Sequence, residues 1–177
     1  MNTHRVFIAG FGGQGILLIG QMLAYAAMYE DREVTWMPSY GPEMRGGTAN
    51  CTICIGDKPI ASPLVSKCES LIVMNAPSMD KYEEMLVPGG TMYVNEGAIP
   101  GKPTRDDVDI HYVDANNIAK DELKSEKMAS MVMLGALLRK SSLVKPETMD
   151  KVLEKVMTGK KAAFIPGNKL ALNAWQG

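Results

Sequence analysis

The first 29 residues constrain the chain most. Residues 5–9, Arg-Val-Phe-Ile-Ala, form a short apolar run with β-branched members and no breaker, which reads as a buried strand. Gly10-Phe11-Gly12-Gly13-Gln14-Gly15 comes next, and residues 16–29 are rich in apolar helix formers. Gly10, Gly12 and Gly15 match G-x-G-x-x-G in the strand–turn–helix context that gives the motif physical meaning. In that context one glycine makes a tight turn, one lets a ligand approach the backbone, and one lets helix and strand pack closely. The first N–H groups of the helix lack intrahelical partners and lie at its positive dipole end, so Gly10, Gly12, Gly13, Gln14 and Gly15 are candidate anion-binding residues.

A bound dinucleotide would want an acid at the end of the second strand, about 20 residues on, for the ribose hydroxyls. That strand is expected over residues 33–37, and it runs into Pro38-Ser39-Tyr40, which holds no acid. Glu30, Asp31 and Glu33 come too early, in the turn before the strand. Three readings of the turn stay open: a dinucleotide site, another phosphate or docking partner, or a turn that only packs helix on strand.

At 177 residues the chain is expected to be a single domain, 1–177, with an α/β core over about 1–140 and C-terminal helices over about 146–176. Its net charge of −1 leaves no electrostatic footprint for nucleic acid. No apolar run reaches the roughly 18 residues of a membrane span, and residues 1–5 lack the apolar core of a signal peptide, so a cytoplasmic chain is expected. Fourteen Met against three Phe suggest an adaptable Met-filled core or contact surface. Cys51-x-x-Cys54 resembles a metal or redox spacing, but residues 48–56 alternate as a strand does, which sends the two thiols to opposite faces. Cys51, Cys54 and Cys68 are therefore read as buried structural thiols, with no metal site expected.

The segment Pro38-Ser39-Tyr40-Gly41-Pro42-Glu43-Met44-Arg45-Gly46-Gly47 is unusual. Turn chemistry accounts for its Pro and Gly, but not for a phenol, an acid and a base so close together. Loops at the carboxyl ends of parallel strands are where doubly wound proteins bind ligands. This loop and the glycine turn are expected to leave adjacent strands at one edge; the plainer alternative is a solvated loop with a local Glu43–Arg45 pair.

Further strands are expected over 48–56, 69–75, 91–95 and 110–113, with a short return at 59–61. Ser78 reads as the cap of a helix over 79–86 that Pro88-Gly89-Gly90 breaks. A helix start and turn cover 114–124, and helices are expected over 128–140 and from Pro146, which Thr158-Gly159 ends. Pro166-Gly167 then breaks the chain before a terminal helix capped by Asn168. Gly135 is expected to permit a close helix crossing. Strands alternating with helices give an α/β fold, Rossmann-like, with a mainly parallel sheet and helices on both faces.

The glycine turn together with Ser39-Tyr40-Gly41-Pro42-Glu43-Met44-Arg45-Gly46-Gly47 resembles the gamma subunit of 2-oxoacid:ferredoxin oxidoreductases. Asn75-Ala76-Pro77-Ser78 with Lys81-Tyr82, Pro88-Gly89-Gly90 before a strand, and the tail from Asn168 fit the same pattern, so the likeness spans nearly the whole chain. It implies one subunit of an enzyme that decarboxylates a 2-oxoacid, with 2-oxoglutarate slightly favoured, makes an acyl-CoA and reduces ferredoxin. Thiamine diphosphate with Mg and the iron–sulfur clusters would belong to alpha, beta and delta (ferredoxin-like) partner subunits. This chain would be non-catalytic and would wall the coenzyme A path, with residues 39–47 as interface and residues 10–15 near a CoA phosphate. Isolated, it would be inactive and would self-associate or expose apolar surface. The alternative is a stand-alone dinucleotide-binding oxidoreductase or nucleotide-binding module.

Overall fold

A computed structural model describes residues 3–40 and 47–177, without the side chain of Tyr40. Among the described residues six strands form one sheet: β1 (His4–Phe11), β2 (Glu33–Tyr40), β3 (Thr48–Gly56), β4 (Cys68–Val73), β5 (Leu86–Asn95) and β6 (Asp109–Val113), in the order β2-β3-β1-β4-β5-β6. β1, β4, β5 and β6 pair in parallel, and β3 pairs antiparallel with both β1 and β2. The sheet is thus mainly parallel, with only β3 reversed. The glycine turn and residue 40 do leave the sheet at one edge, but from strands separated by β3 rather than adjacent ones. The helix after β1 spans two strand positions, and the chain then folds back as a hairpin into the gap.

The helices are α1 (Ile16–Tyr29), α2 (Ala76–Tyr82), α3 (Ala115–Asn117), α4 (Ala129–Lys140), α5 (Pro146–Val156) and α6 (Ile165–Ala174). α1 buries Ile16, Ile19, Leu23, Ala26 and Ala27, the i, i+3, i+4, i+7 stripe of a core-facing helix. Val6, Ile8, Cys51, Ile53, Ile72 and Tyr93 form the sheet face beneath α1, α4, α5 and α6. The other face, with Phe7, Ala9, Leu71, Val73, Met92 and Val94, is covered by α2 and by the loop bearing Ile99 and Val108.

Alternation holds along β3: Cys51 packs with the first face and Cys54 points to the other, and both are buried. Burial pushes the Cys51 thiol up to about 12, and the thiol donates to Ile16 O at 3.6 Å, so it is an inert thiol.

Several boundaries differ from those expected of the sequence, each for a tertiary reason. β2 continues through Pro38 to Tyr40, because an edge strand can spare the proline's missing donor. Residues 59–61 form no strand. The cap of α2 is Asn75, whose Oδ1 accepts from Ser78 N at 2.9 Å, so the helix begins before Ser78. β5 starts at Leu86 and carries Pro88 and Gly89 within it; Gly89 takes φ +75° and donates to Asp107 O at 2.7 Å. Residues 114–124 give one turn of α3, then a π-helical stretch over Ile118–Glu122 and a left-handed Lys124. Pro166 sits in the first turn of α6, where its absent N–H is harmless, and Asn168 lies inside that helix donating to Phe164 O at 2.8 Å.

At the amino edge His4 Nε2 lies 3.0 Å from Ser70 Oγ, and Glu69 binds both the guanidinium and the backbone N–H of Arg5, the latter at 2.7 Å. Burial lowers the His4 pKa from its ordinary 6.5; the Glu69 charge opposes this, and Arg32 and Arg5 reinforce it. Burial pushes the Glu69 carboxyl up, but the hydrogen bonds and charge of Arg5 outweigh that and hold it below 4.5. Both groups bind fewer protons folded than unfolded, so both make stability rise with pH. The His4 contribution is complete above the unfolded value and is lost as pH falls below 6.5. That of Glu69 is lost as pH falls below 4.5 and through its folded value. Urea unfolding monitored between neutral pH and pH about 5 should show the first loss, and His4→Gln should flatten it. An unchanged slope in that variant would remove His4 from this account.

Candidate functional site

The carboxyl edge of the sheet gathers the turn and the segments after β4 and β6. β1 ends at Phe11, and Gly12 N donates to Gly47 O at 2.7 Å. Tyr40 pairs with Ala49, which in turn pairs with Gly10. The C-terminal end of the expected interface loop is therefore held against the glycine turn, and its other end stands one strand away, across Ala49. Ser39 is an exposed residue of β2 and Gly47 is half-buried beside the turn; Gly41, Pro42, Glu43, Met44, Arg45 and Gly46 lie outside the described residues.

The glycines serve different local needs. A Cβ at Gly10 would stand 2.7 Å from Gln14 Oε1 and 2.9 Å from Met74 Cβ, so its absence lets the Gln14 side chain fold back over the strand end. Left-handed backbone falls on Gly13 (φ +90°) and Gly15 (φ +78°), the N-cap of α1, where no side chain caps the helix. Gly13 faces open space, whereas a Cβ on Gly15 would lie 2.4 Å from Ser130 Oγ at the start of α4.

Gln14 Oε1 accepts from Phe11 N at 2.7 Å and from Asn75 Nδ2 at 3.1 Å. Beside it opens a cavity of about 400 Å³, lined by Gly13, Gln14, Asn116, Lys120, Glu126 and Lys127 among others. Next to this lies an apolar groove of about 700 Å³ with Leu18, Met128, Met157 and Phe164 in its wall; Glu126 and Lys127 line both. A chamber with two lysines against one glutamate, joined to an apolar groove, suits an anionic ligand that carries a less polar arm.

Of the residues expected from sequence, Gly13 and Gln14 line the cavity, Gly10 and Gly15 shape its approach, and Gly12 ties the turn to Gly47. Sequence reasoning missed Asn75, Asn116, Lys120 and Lys127 as site residues. The available signal was positional: the segments after β4 and β6 leave the carboxyl edge, where open α/β sheets bind ligands. The acid-bearing second strand of a dinucleotide fold is also displaced, since antiparallel β3 stands between β2 and the turn.

The family model of pyruvate ferredoxin/flavodoxin oxidoreductases matches residues 5–174. This chain belongs to that family. It is 37% identical over 184 residues to the 2-oxoglutarate synthase subunit KorC of Methanocaldococcus jannaschii, with 97% of this chain and 98% of that one covered. The solved gamma subunit of a keto/oxoacid ferredoxin oxidoreductase from Geobacter sulfurreducens superposes with a TM-score of 0.83 at 27% identity, covering 97% and 95% of the two chains. The pyruvate oxidoreductase subunit PORC from Thermotoga maritima does so with a TM-score of 0.75 at 27% identity, covering 97% and 94%. The chain is thus a gamma subunit of the 2-oxoacid:ferredoxin oxidoreductases, and its α/β fold is theirs. Among the described residues no helix is long and apolar enough to cross a membrane.

Proposed function

We propose that this gamma subunit is a non-catalytic, single-domain component of a cytoplasmic complex that oxidatively decarboxylates a 2-oxoacid to an acyl-CoA and passes the electrons to ferredoxin. The thiamine diphosphate, magnesium and iron–sulfur clusters sit on alpha, beta and ferredoxin-like delta partners. The glycine turn and its cavity wall the path of coenzyme A and meet one of its phosphates, while Ser39 and the loop through Gly47 face the catalytic subunits. The observation that carries this reading is the Gly12–Gly47 hydrogen bond, which ties the turn to the C-terminal end of the loop beside a lysine-bearing cavity. Exposed Leu64 (71%), Leu170 (65%) and Phe164 (58%) are consistent with a chain that leaves interface uncovered, and with self-association, when isolated. End-to-end similarity to a chain named 2-oxoglutarate synthase subunit favours 2-oxoglutarate over pyruvate or branched-chain acids.

The test is co-purification of the native complex, then assay with CoA and a viologen dye. The expected result is no dye reduction by this chain alone and the highest kcat/KM of the complex on 2-oxoglutarate. Activity of the isolated chain would overturn the non-catalytic role, and a preference for another 2-oxoacid would overturn the substrate.

A further inference from the structure

Two amides line the cavity beside the glycine turn, and each has its oxygen taken by a buried asparagine behind it. Gln14 Oε1 accepts from Asn75, which is 4% exposed, and from Phe11 N. Asn116 Oδ1 accepts from Asn95 Nδ2 at 3.1 Å; Asn95 is fully buried and also donates to Met74 O at 3.3 Å. An amide carries oxygen and NH₂ on opposite sides of one carbon. With both oxygens engaged inward, the Gln14 Nε2 and Asn116 Nδ2 groups are left for the cavity that the two residues line. Lys120 and Lys127, from the irregular segment between β6 and α4, add two ammonium groups to the same wall. Acceptors are fewer: Glu126 lies on the wall beside Lys127, and Asn117 spends its Nδ2 on Asp114 Oδ2 at 2.9 Å.

We infer that Asn75 and Asn95 are positioning residues that turn the Gln14 and Asn116 amides donor-outward, so that these amides, with Lys120 and Lys127, form a subsite for a phosphate or diphosphate group. This rests on the reading that the cavity meets a phosphate of the complex's ligand, and it names the groups that do so. A multiply charged phosphate presents only acceptor oxygens, which matches a wall of NH₂ and ammonium donors. Asn75 also caps α2 through its own Oδ1, so one buried side chain links the cap to the amide.

That dual role allows a clean test. Asp caps a helix as well as Asn does, so Asn75→Asp keeps the α2 cap. It also sets a carboxylate where Asn75 Nδ2 now lies 3.1 Å from Gln14 Oε1. The amide must then either turn its oxygen toward the cavity or leave its place, and both outcomes remove a donor. The ¹⁵N-labelled full-length chain is titrated with inorganic pyrophosphate while the Gln14 and Asn116 side-chain NH₂ signals are tracked by NMR. Saturable shifts of both pairs are expected. Asn75→Asp should bind pyrophosphate at least about tenfold more weakly while keeping the dispersed NMR spectrum of the folded chain, the size of effect expected for one charge-assisted hydrogen bond. Lys120→Gln combined with Lys127→Gln should weaken binding similarly while leaving the Gln14 signals where they are without ligand. If Asn75→Asp fails to fold, Asn75→Ser, which keeps a cap but cannot reach Gln14, takes its place. Unmoved NH₂ signals, or wild-type affinity in a folded Asn75 variant, would overturn the inference. Dye-reducing activity of a complex whose gamma chain shows no pyrophosphate binding would sink this subsite alone. Failure of the chain to join any such complex would sink the functional reading instead.

Discussion

Gly135→Ala is expected to lower stability by about 2 kcal/mol net even though alanine is the better helix former. Gly135 lies in the middle of α4, and a Cβ built there would stand 2.2 Å from Leu172 O and 2.7 Å from Leu172 C on α6. These are main-chain atoms, so no rotamer change relieves the overlap and the two helices must move apart. The exchange of Gly for Ala returns about 1 kcal/mol of helix propensity, which is smaller than the upper range of overpacking costs, about 1–3 kcal/mol and occasionally more. Parting the helices would also disturb the end of the chain, where Arg139 donates to Gln176 Oε1 at 2.9 Å and the Trp175 ring lies 5.8 Å from His111. A domain of this size loses roughly 2–4 °C of melting temperature per kcal/mol, so thermal unfolding should show a drop of several degrees. A variant as stable as the parent would mean that the crossing is looser than the structure has it.

Gly15→Ala should cost a similar amount, about 2–4 kcal/mol, from two separable sources. The first is the backbone: φ of +78° costs an alanine about 1–2 kcal/mol. The second is Ser130, whose Oγ and Cβ would lie 2.4 and 3.0 Å from the new methyl group. Ser130→Ala removes only the closer atom. In a double-mutant cycle the pair should therefore be less damaging together than the sum of the single changes, by about 1 kcal/mol or more. Strict additivity, measured by urea unfolding, would show that the hydroxyl is not in contact with the turn. The same variant perturbs the cavity, since the segment that carries Lys127 leads directly into Ser130.

The strand–turn–helix unit was legible because its signals are local. β1 brackets the expected residues 5–9, α1 occupies the expected 16–29, and β3 the expected 48–56. Each rests on periodicity or on glycine chemistry within a few residues of itself. The same holds for the opposite facing of Cys51 and Cys54, which comes from the twofold repeat of a strand. The glycine turn marked one wall of the site, and family likeness along the whole chain marked the kind of complex it serves.

Tertiary structure decided where those units stand. Nothing local to residues 48–56 says that this strand inserts, reversed, between β1 and β2; that depends on which edge is free when the hairpin folds back. Most of the remaining cavity wall comes from residues 116–129, about a hundred positions from the turn, and Met74 supplies the rest; the sequence shows only an undistinguished polar helix start there. Asn75 reaches Gln14 across 61 residues, and Glu30 caps the distant α5 by accepting from Lys145 N and Thr148 Oγ1, both at 2.6 Å. Such hydrogen bonds form because the packing of distant elements brings polar groups together, and those that are buried would be costly to strand without partners. Sequence by itself determined most of the elements, the turn and the family; several boundaries, the sheet order, and with it every donor that faces the cavity from beyond the turn, came from how those elements bury their apolar faces.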